Sequence, residues 1–257
     1  MRRRRALRMT VLMAAVLACG ILLGCAAAAL RAEPAEGREL SAANDSTSAA
    51  DDIRSPRRQS EPAETAVPDR NDWRLLLVNA AHPLPADFTV ETADVGHGYT
   101  FDVRAADHLI EMLSDCEDAG LFPLICSAYR LREKQESLFA RQIEKQRAKG
   151  QDGDQAVTAA SAVVAYPGTS EHEAGLAVDI CARDYQLLDE GQEETPEYQW
   201  LLAHCAEYGF ILRYPPDKTH VTGIIYEPWH FRYVGEQAAR EIMERGITLE
   251  EYLGETE

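Results

Sequence analysis

The segment Pro167-Gly-Thr-Ser170-Glu-His172-Glu-Ala-Gly175-Leu-Ala-Val-Asp179-Ile-Cys181 decides how the chain is read. Leu176 to Cys181 has strand character, with apolar residues on both sides of a single acid. Gly175 lets the chain turn just ahead of it, because a residue without a Cβ tolerates positive φ. His172 and Asp179 are seven residues apart, and the alternation of the strand lets Asp179 point back across the turn toward His172. A turn leading into a strand, with a His before it and an Asp within it, is the first pillar of a small sheet.

Elements of both kinds lie on either side. Ala105 to Ala119 carries Leu109, Ile110, Met112, Leu113 and Cys116 at helical spacing, and Gly120 stops it. Phe122-Pro-Leu-Ile-Cys126 reads as a short strand. A polar helix follows from about Leu131 to Lys149, breaks at Gly150 to Gly153, and a second short helix reaches Ala165. Thr195-Pro196 is an N-cap with a first-turn proline, opening a helix that Gly209 ends. Phe210-Ile-Leu and Phe231-Arg-Tyr-Val are further strands, and Trp73 to Val78 is a buried strand or a lead-in segment. Glu236 to Arg245 is a helix, and Thr248 with Glu251 forms a capping box for a last one. Helices and strands alternate without a regular βαβ beat or an internal repeat. The expectation is an α+β domain, a small antiparallel sheet flanked by helices.

The chain has 257 residues, 46% hydrophobic and 27% charged, which excludes collagen-like and low-complexity classes. With 26 Lys and Arg against 43 Asp and Glu it carries −17, so nucleic acid is not an expected partner. Residues 1–30 run against that balance: five Arg, no acid, and an uncharged stretch from Met9 to Leu30. A basic start followed by an apolar run is a secretory signal or an N-terminal anchor. Leu22-Leu-Gly-Cys25 resembles a bacterial lipobox, so lipidation at Cys25, an uncleaved anchor and ordinary cleavage all remain open. Each places the body outside the cytoplasm, in the cell envelope, with membrane contact only through this segment. Residues 31–70 are polar, Pro-containing and without aromatic residues, the composition of a disordered tether. Residues 71–257 form the domain. Its four cysteines could pair as Cys116–Cys126 and Cys181–Cys205 or remain buried thiols.

The chemistry lies between Ser127 and His230. Glu227-Pro-Trp-His230 puts a carboxylate three residues before a second His, and Pro228 excludes a helix interior there. Two His and one Asp suit Zn²⁺ with one position left open for water, and a non-ligating Glu beside them is the proton acceptor a zinc hydrolase needs. His82, His97, His108, His204 and His220 need no functional account.

Ser127-Ala-Tyr-Arg130 with Gln135, then the Pro167 to Ile180 segment, resembles the VanY/LdcB-type D-alanyl-D-alanine carboxypeptidase family of zinc peptidases. Tyr208-Gly-Phe-Ile-Leu-Arg-Tyr-Pro215 and Thr222-Gly-Ile-Ile-Tyr-Glu-Pro-Trp-His-Phe-Arg-Tyr-Val-Gly235 extend the resemblance, which runs from about Trp73 to Gly246. Ala128 stands where the family commonly has Gly. The resemblance implies a single zinc peptidase domain with one Zn²⁺ per chain, held by His172, Asp179 and His230. It implies Glu227 as the base and Arg130 as the donor to the oxyanion, with Ser127, Gln135 and Ser170 as substrate contacts. Trp229 is a core residue or a wall of the cleft, and Arg213 and Arg232 are either structural, bonding loop carbonyls or acids, or functional. The implied activity is removal of the terminal D-alanine from peptidoglycan stem peptides by zinc-activated water. The alternatives are an L,D-carboxypeptidase acting on tetrapeptide stems and an inactive wall-binding module.

Overall fold

The computed structural model describes residues 68–256, so the expectations for residues 1–30, and for the tether up to residue 67, lie outside it. The chain leads in through one 3-10 turn, Trp73–Leu75, capped by the Asp72 side chain, which accepts from the Arg74 N–H. Of the two readings of Trp73 to Val78, the lead-in is the correct one. A hairpin follows, β1 (Thr92–Asp94) and β2 (Thr100–Asp102), paired antiparallel.

Helix α1 (Ala106–Asp118) buries Ala106, Leu109, Met112 and Cys116, the stripe its spacing announces. Strand β3 (Pro123–Ser127) leads to α2 (Arg132–Ala148) and the short α3 (Gly153–Ser161). Strand β4 (Ala177–Ala182) is buried at every position. Helix α4 (Pro196–His204) starts as expected, with the Thr195 hydroxyl accepting from Tyr198 N–H. A 3-10 turn and Gly209, at φ 82, end it. A Cβ at Gly209 would come within 2.8 Å of the Tyr233 ring, so this turn needs glycine for space as well as for φ. Strand β5 (Phe210–Leu212), the single turn α5 (Thr219–Thr222), strand β6 (His230–Tyr233), α6 (Glu236–Arg245) and α7 (Leu249–Leu253) complete the domain. The Thr248/Glu251 capping box of α7 is present.

The main sheet is antiparallel, in the order β3-β4-β6-β5. Alternation divides its residues between two faces. Ile125, Val178, Ile180, Phe210, Leu212, Phe231 and Tyr233 enter one core with Leu109, Met112 and Leu201 of the helices. Ile211 faces the other way, into a second cluster with Ala239, Ile242, Leu249 and Leu253. Asp179, His230 and Arg232 therefore stand on the face turned away from the main core.

Cys116, Cys126, Cys181 and Cys205 are free thiols, three of them buried, so of the two readings the thiols hold and neither pairing forms. Cys116 and Cys205 are fully enclosed. Cys126 meets Cys181 instead, side chain to side chain across β3 and β4. Among the described residues no helix is long and apolar enough to cross a membrane.

Candidate active site

Register sets the site. Ser127 of β3 is opposite Asp179 of β4, which is opposite His230 of β6, so the three form one row across the sheet. Leu124 pairs with Cys181 and Ile125 with Ile180, so an unbroken ladder would put Cys126 opposite Asp179. A bulge between Ile125 and Ser127 adds one residue and brings Ser127 there instead.

His172 reaches this row from the turn before β4. Gly175, at φ 72, closes the turn by donating its N–H to the His172 carbonyl at 3.1 Å. That same carbonyl accepts from Arg130 N–H at 3.0 Å, which fastens the segment after β3 to the turn. His172 Nδ1 lies 2.8 Å from the Ala128 carbonyl, so Nδ1 carries the proton and Nε2 is left with a free lone pair. Nε2 is 3.3 Å from Asp179 Oδ1, and His230 Nδ1 is 3.2 Å from the same oxygen. Asp179 Oδ1 is buried and makes no hydrogen bond. An unpaired buried carboxylate oxygen is costly unless a cation completes it, and two imidazole nitrogens converge on this one. The donor set, two ring nitrogens and one carboxylate with all three ligand atoms within 4.8 Å of one another, fits a metal ion of the zinc type.

Charge follows the same geometry. Burial pushes His172 down to about 4, and the Arg130 charge adds to this. Burial opposes ionisation of Asp179, but His172 and Arg130 hold its carboxyl well below the usual range. Burial also works against a charged His230, yet the Asp179 and Glu171 carboxylates beside it carry the ring up to about 9.

The turn from Glu227 to His230 is closed by His230 N–H donating to the Glu227 carbonyl at 3.1 Å. It sets Glu227 Oε2 3.5 Å from His230 Nδ1. Burial pushes the Glu227 carboxyl up to about 8, against the attraction of His230. Arg130 is anchored at three points: Nη2 donates to Asp179 Oδ2 at 2.6 Å, Nε to Ser127 Oγ at 2.7 Å and Nη1 to Gln135 Oε1 at 3.3 Å. Gln135 is fully buried, and its amide nitrogen donates to the Ala165 carbonyl. Ser127 and Gln135 thus hold Arg130 in place, whereas Ser170 lines the cleft itself.

That cleft has a volume of about 260 Å³ and brings together Arg130, Ser170, His172, Asp179, Glu227, Trp229 and His230. Its other walls are Leu138, Gln142 and Lys145 of α2, Val163 to Ala165, Leu188, Tyr214 and Ile224. None of these was a candidate from the sequence, nor was Glu171, which lies behind His230. A larger groove, about 480 Å³, lies between α4 and α6 but is lined by neither His nor Cys.

A family model described as VanY, D-alanyl-D-alanine carboxypeptidase, matches residues 99–236, a stretch that contains every residue of this site. The chain belongs to this family. A relative from Enterococcus faecalis (strain ATCC 700802 / V583), a D-alanyl-D-alanine carboxypeptidase, is 42% identical over 185 residues, covering 72% of this chain and 67% of the relative. Two solved VanY structures are similar at 42% identity and cover 71% of this chain. One, a vancomycin-resistance D,D-pentapeptidase VanY in complex with Zn(II), has a TM-score of 0.65 and is covered over 99% of its length. The other, VanYB in complex with D-alanine-D-alanine, has a TM-score of 0.66 and is covered over 98%.

Proposed function

We propose that this VanY-family chain is an exported zinc carboxypeptidase that removes the terminal D-alanine from peptidoglycan stem peptides. The observation that carries the reading is the convergence of His172 Nε2 and His230 Nδ1 on the unpaired Asp179 Oδ1, with the Glu227 carboxyl beside them. The Zn(II) and D-alanine-D-alanine complexes of VanY relatives support it.

His172, Asp179 and His230 would hold one Zn²⁺, which when bound supplies a Lewis acid and acidifies water. Glu227 takes a proton from the water that attacks the scissile carbonyl and returns it to the departing amine nitrogen. Burial raises its carboxyl above the usual range, which makes the carboxylate form a stronger proton acceptor. Arg130 donates to the oxygen on which negative charge develops, a contribution on the order of 10²–10³ in rate for a fixed donor. Nη1 is the donor to give, since its bond to Gln135 is the longest of the three. Ser170 and Trp229 border the bound peptide. Export rests on the basic, apolar start of the chain, with residues 31–70 as the tether.

Release of free D-alanine from a synthetic pentapeptide stem, with a tetrapeptide in parallel, tests the reading by chromatography of the products. Release from the pentapeptide is expected. Release from the tetrapeptide alone would make the chain an L,D-carboxypeptidase, and cleavage of neither would make it a wall-binding module.

A further inference from the structure

Glu171 is 1% exposed, and its two carboxylate oxygens face different groups. Oε1 accepts from Arg213 Nε at 2.7 Å and from Arg232 Nη1 at 2.6 Å. Oε2 makes no hydrogen bond and stands 3.5 Å from His230 Nε2, which is also buried and also without a hydrogen bond. The two arginines are themselves fixed. Arg213 is gripped through Nη1 and Nη2 by Glu250 of α7, at 2.8 and 2.6 Å. Arg232 donates through Nη2 to the Arg74 and Leu76 carbonyls at 3.0 and 2.7 Å. A carboxylate clamped between two buried guanidiniums stays an anion and cannot swing away.

An imidazole presents only one nitrogen to a metal, and which one depends on what the other nitrogen is bonded to. His172 is settled by the Ala128 carbonyl. For His230, the acceptor facing Nε2 among the described residues is Glu171 Oε2. We infer that Glu171 is a positioning residue for the metal site: it accepts the Nε2–H of His230, so that Nδ1 is the nitrogen turned to the ion. A small rotation of the ring closes the gap to hydrogen-bond length. A line of side chains from α7, Glu250 to Arg213 to Glu171, then fixes a ligand that β6 presents. The inference rests on the zinc reading, and it assigns Glu171 no contact with substrate.

Glu171→Asp in the full chain keeps the charge between the arginines and withdraws the carboxylate from the ring by one methylene. Its zinc dissociation constant, measured by chelator competition, rises roughly 10–100-fold, the usual loss when a ligand's outer partner is removed. Met112→Ala on α1, in the main core on the sheet face turned away from the site, serves as a destabilised control and keeps wild-type affinity. In ¹⁵N spectra of the zinc-loaded wild type, His230 shows a slowly exchanging Nε2–H and a metal-bound Nδ1; in Glu171→Asp that proton exchanges faster. A change in zinc affinity no larger than about twofold in folded Glu171→Asp, or a His230 bound through Nε2, overturns the inference. Should Glu171→Asp fail to fold, the wild-type spectrum decides alone. A wild-type chain that binds no zinc overturns the zinc reading and this inference with it.

Discussion

Glu227 and His230 sit three residues apart on one turn, yet they serve the site differently. His230 Nδ1 faces Asp179 Oδ1, while Glu227 is set beside it at 3.5 Å with its carboxyl raised by burial. Glu227→Gln is nearly isosteric, so it should keep zinc and the fold while kcat falls roughly 10²–10⁴-fold. KM should move little, which steady-state kinetics with the pentapeptide checks. Arg130→Lys should behave otherwise. A lysine cannot reproduce the three-point anchorage to Ser127, Gln135 and Asp179, so kcat and KM should both worsen. Zinc affinity should fall as well, because Asp179 loses a partner 2.6 Å away, and chelator competition reads this directly. The residues of the proposed zinc site were legible because each lies within a few residues of a Gly turn or a proline turn. Glu171 was not, since its role comes from Arg213, Arg232 and His230, which are 42 to 61 residues away in sequence. Nothing in Ser170-Glu-His172 separates that carboxylate from an exposed one.

At the level of elements, the site depends on one bulge and one turn. The bulge in β3 puts Ser127 rather than Cys126 opposite Asp179, and no residue near it announces the extra position. The turn is legible, because Gly175 precedes a run of strand residues. Its φ is 72, and a Cβ there would lie 3.3 Å from the Asp102 N–H, which donates to the Gly175 carbonyl. Gly175→Ala should therefore destabilise the fold by about 1–3 kcal/mol, the range for a strained backbone residue, and urea unfolding measures it. Helix α2 was expected to be polar, and its buried stripe is indeed Gln135, Phe139, Gln142 and Gln146. Two of the glutamines can be buried there because Gln135 bonds Arg130 and Gln142 lines the cleft. The hairpin of β1 and β2 was missed for a plain reason: three-residue strands show too little alternation to register. Of the two readings left open for the cysteines, free thiols hold, and the antiparallel β3 and β4 bring Cys126 to Cys181.

Across the whole molecule, acidity and buried charge pull in different directions. The chain carries −17, yet fully buried Arg213 and Arg232 stand among Glu171 and Glu250. Burial opposes ionisation of Glu250, but the Arg213 guanidinium holds its carboxyl below the usual carboxylate range. A depressed carboxyl contributes stability above its unfolded pKa, about 4.3, and that stability is lost as pH falls through the folded value. Wild type should therefore be more stable than Glu250→Gln at pH 7. The difference should hold down to about pH 4.3 and shrink below it, when urea midpoints are followed against pH.

Metal content measured together with D-alanine release tests whether one sheet row and one turn make a three-ligand zinc site. Purified protein should carry about one Zn²⁺ per chain and release D-alanine from a pentapeptide stem, as a single three-ligand site requires. His230→Ala should lose both the stoichiometric zinc and the release. Full release by metal-free protein in excess chelator, or by His230→Ala, would contradict the account.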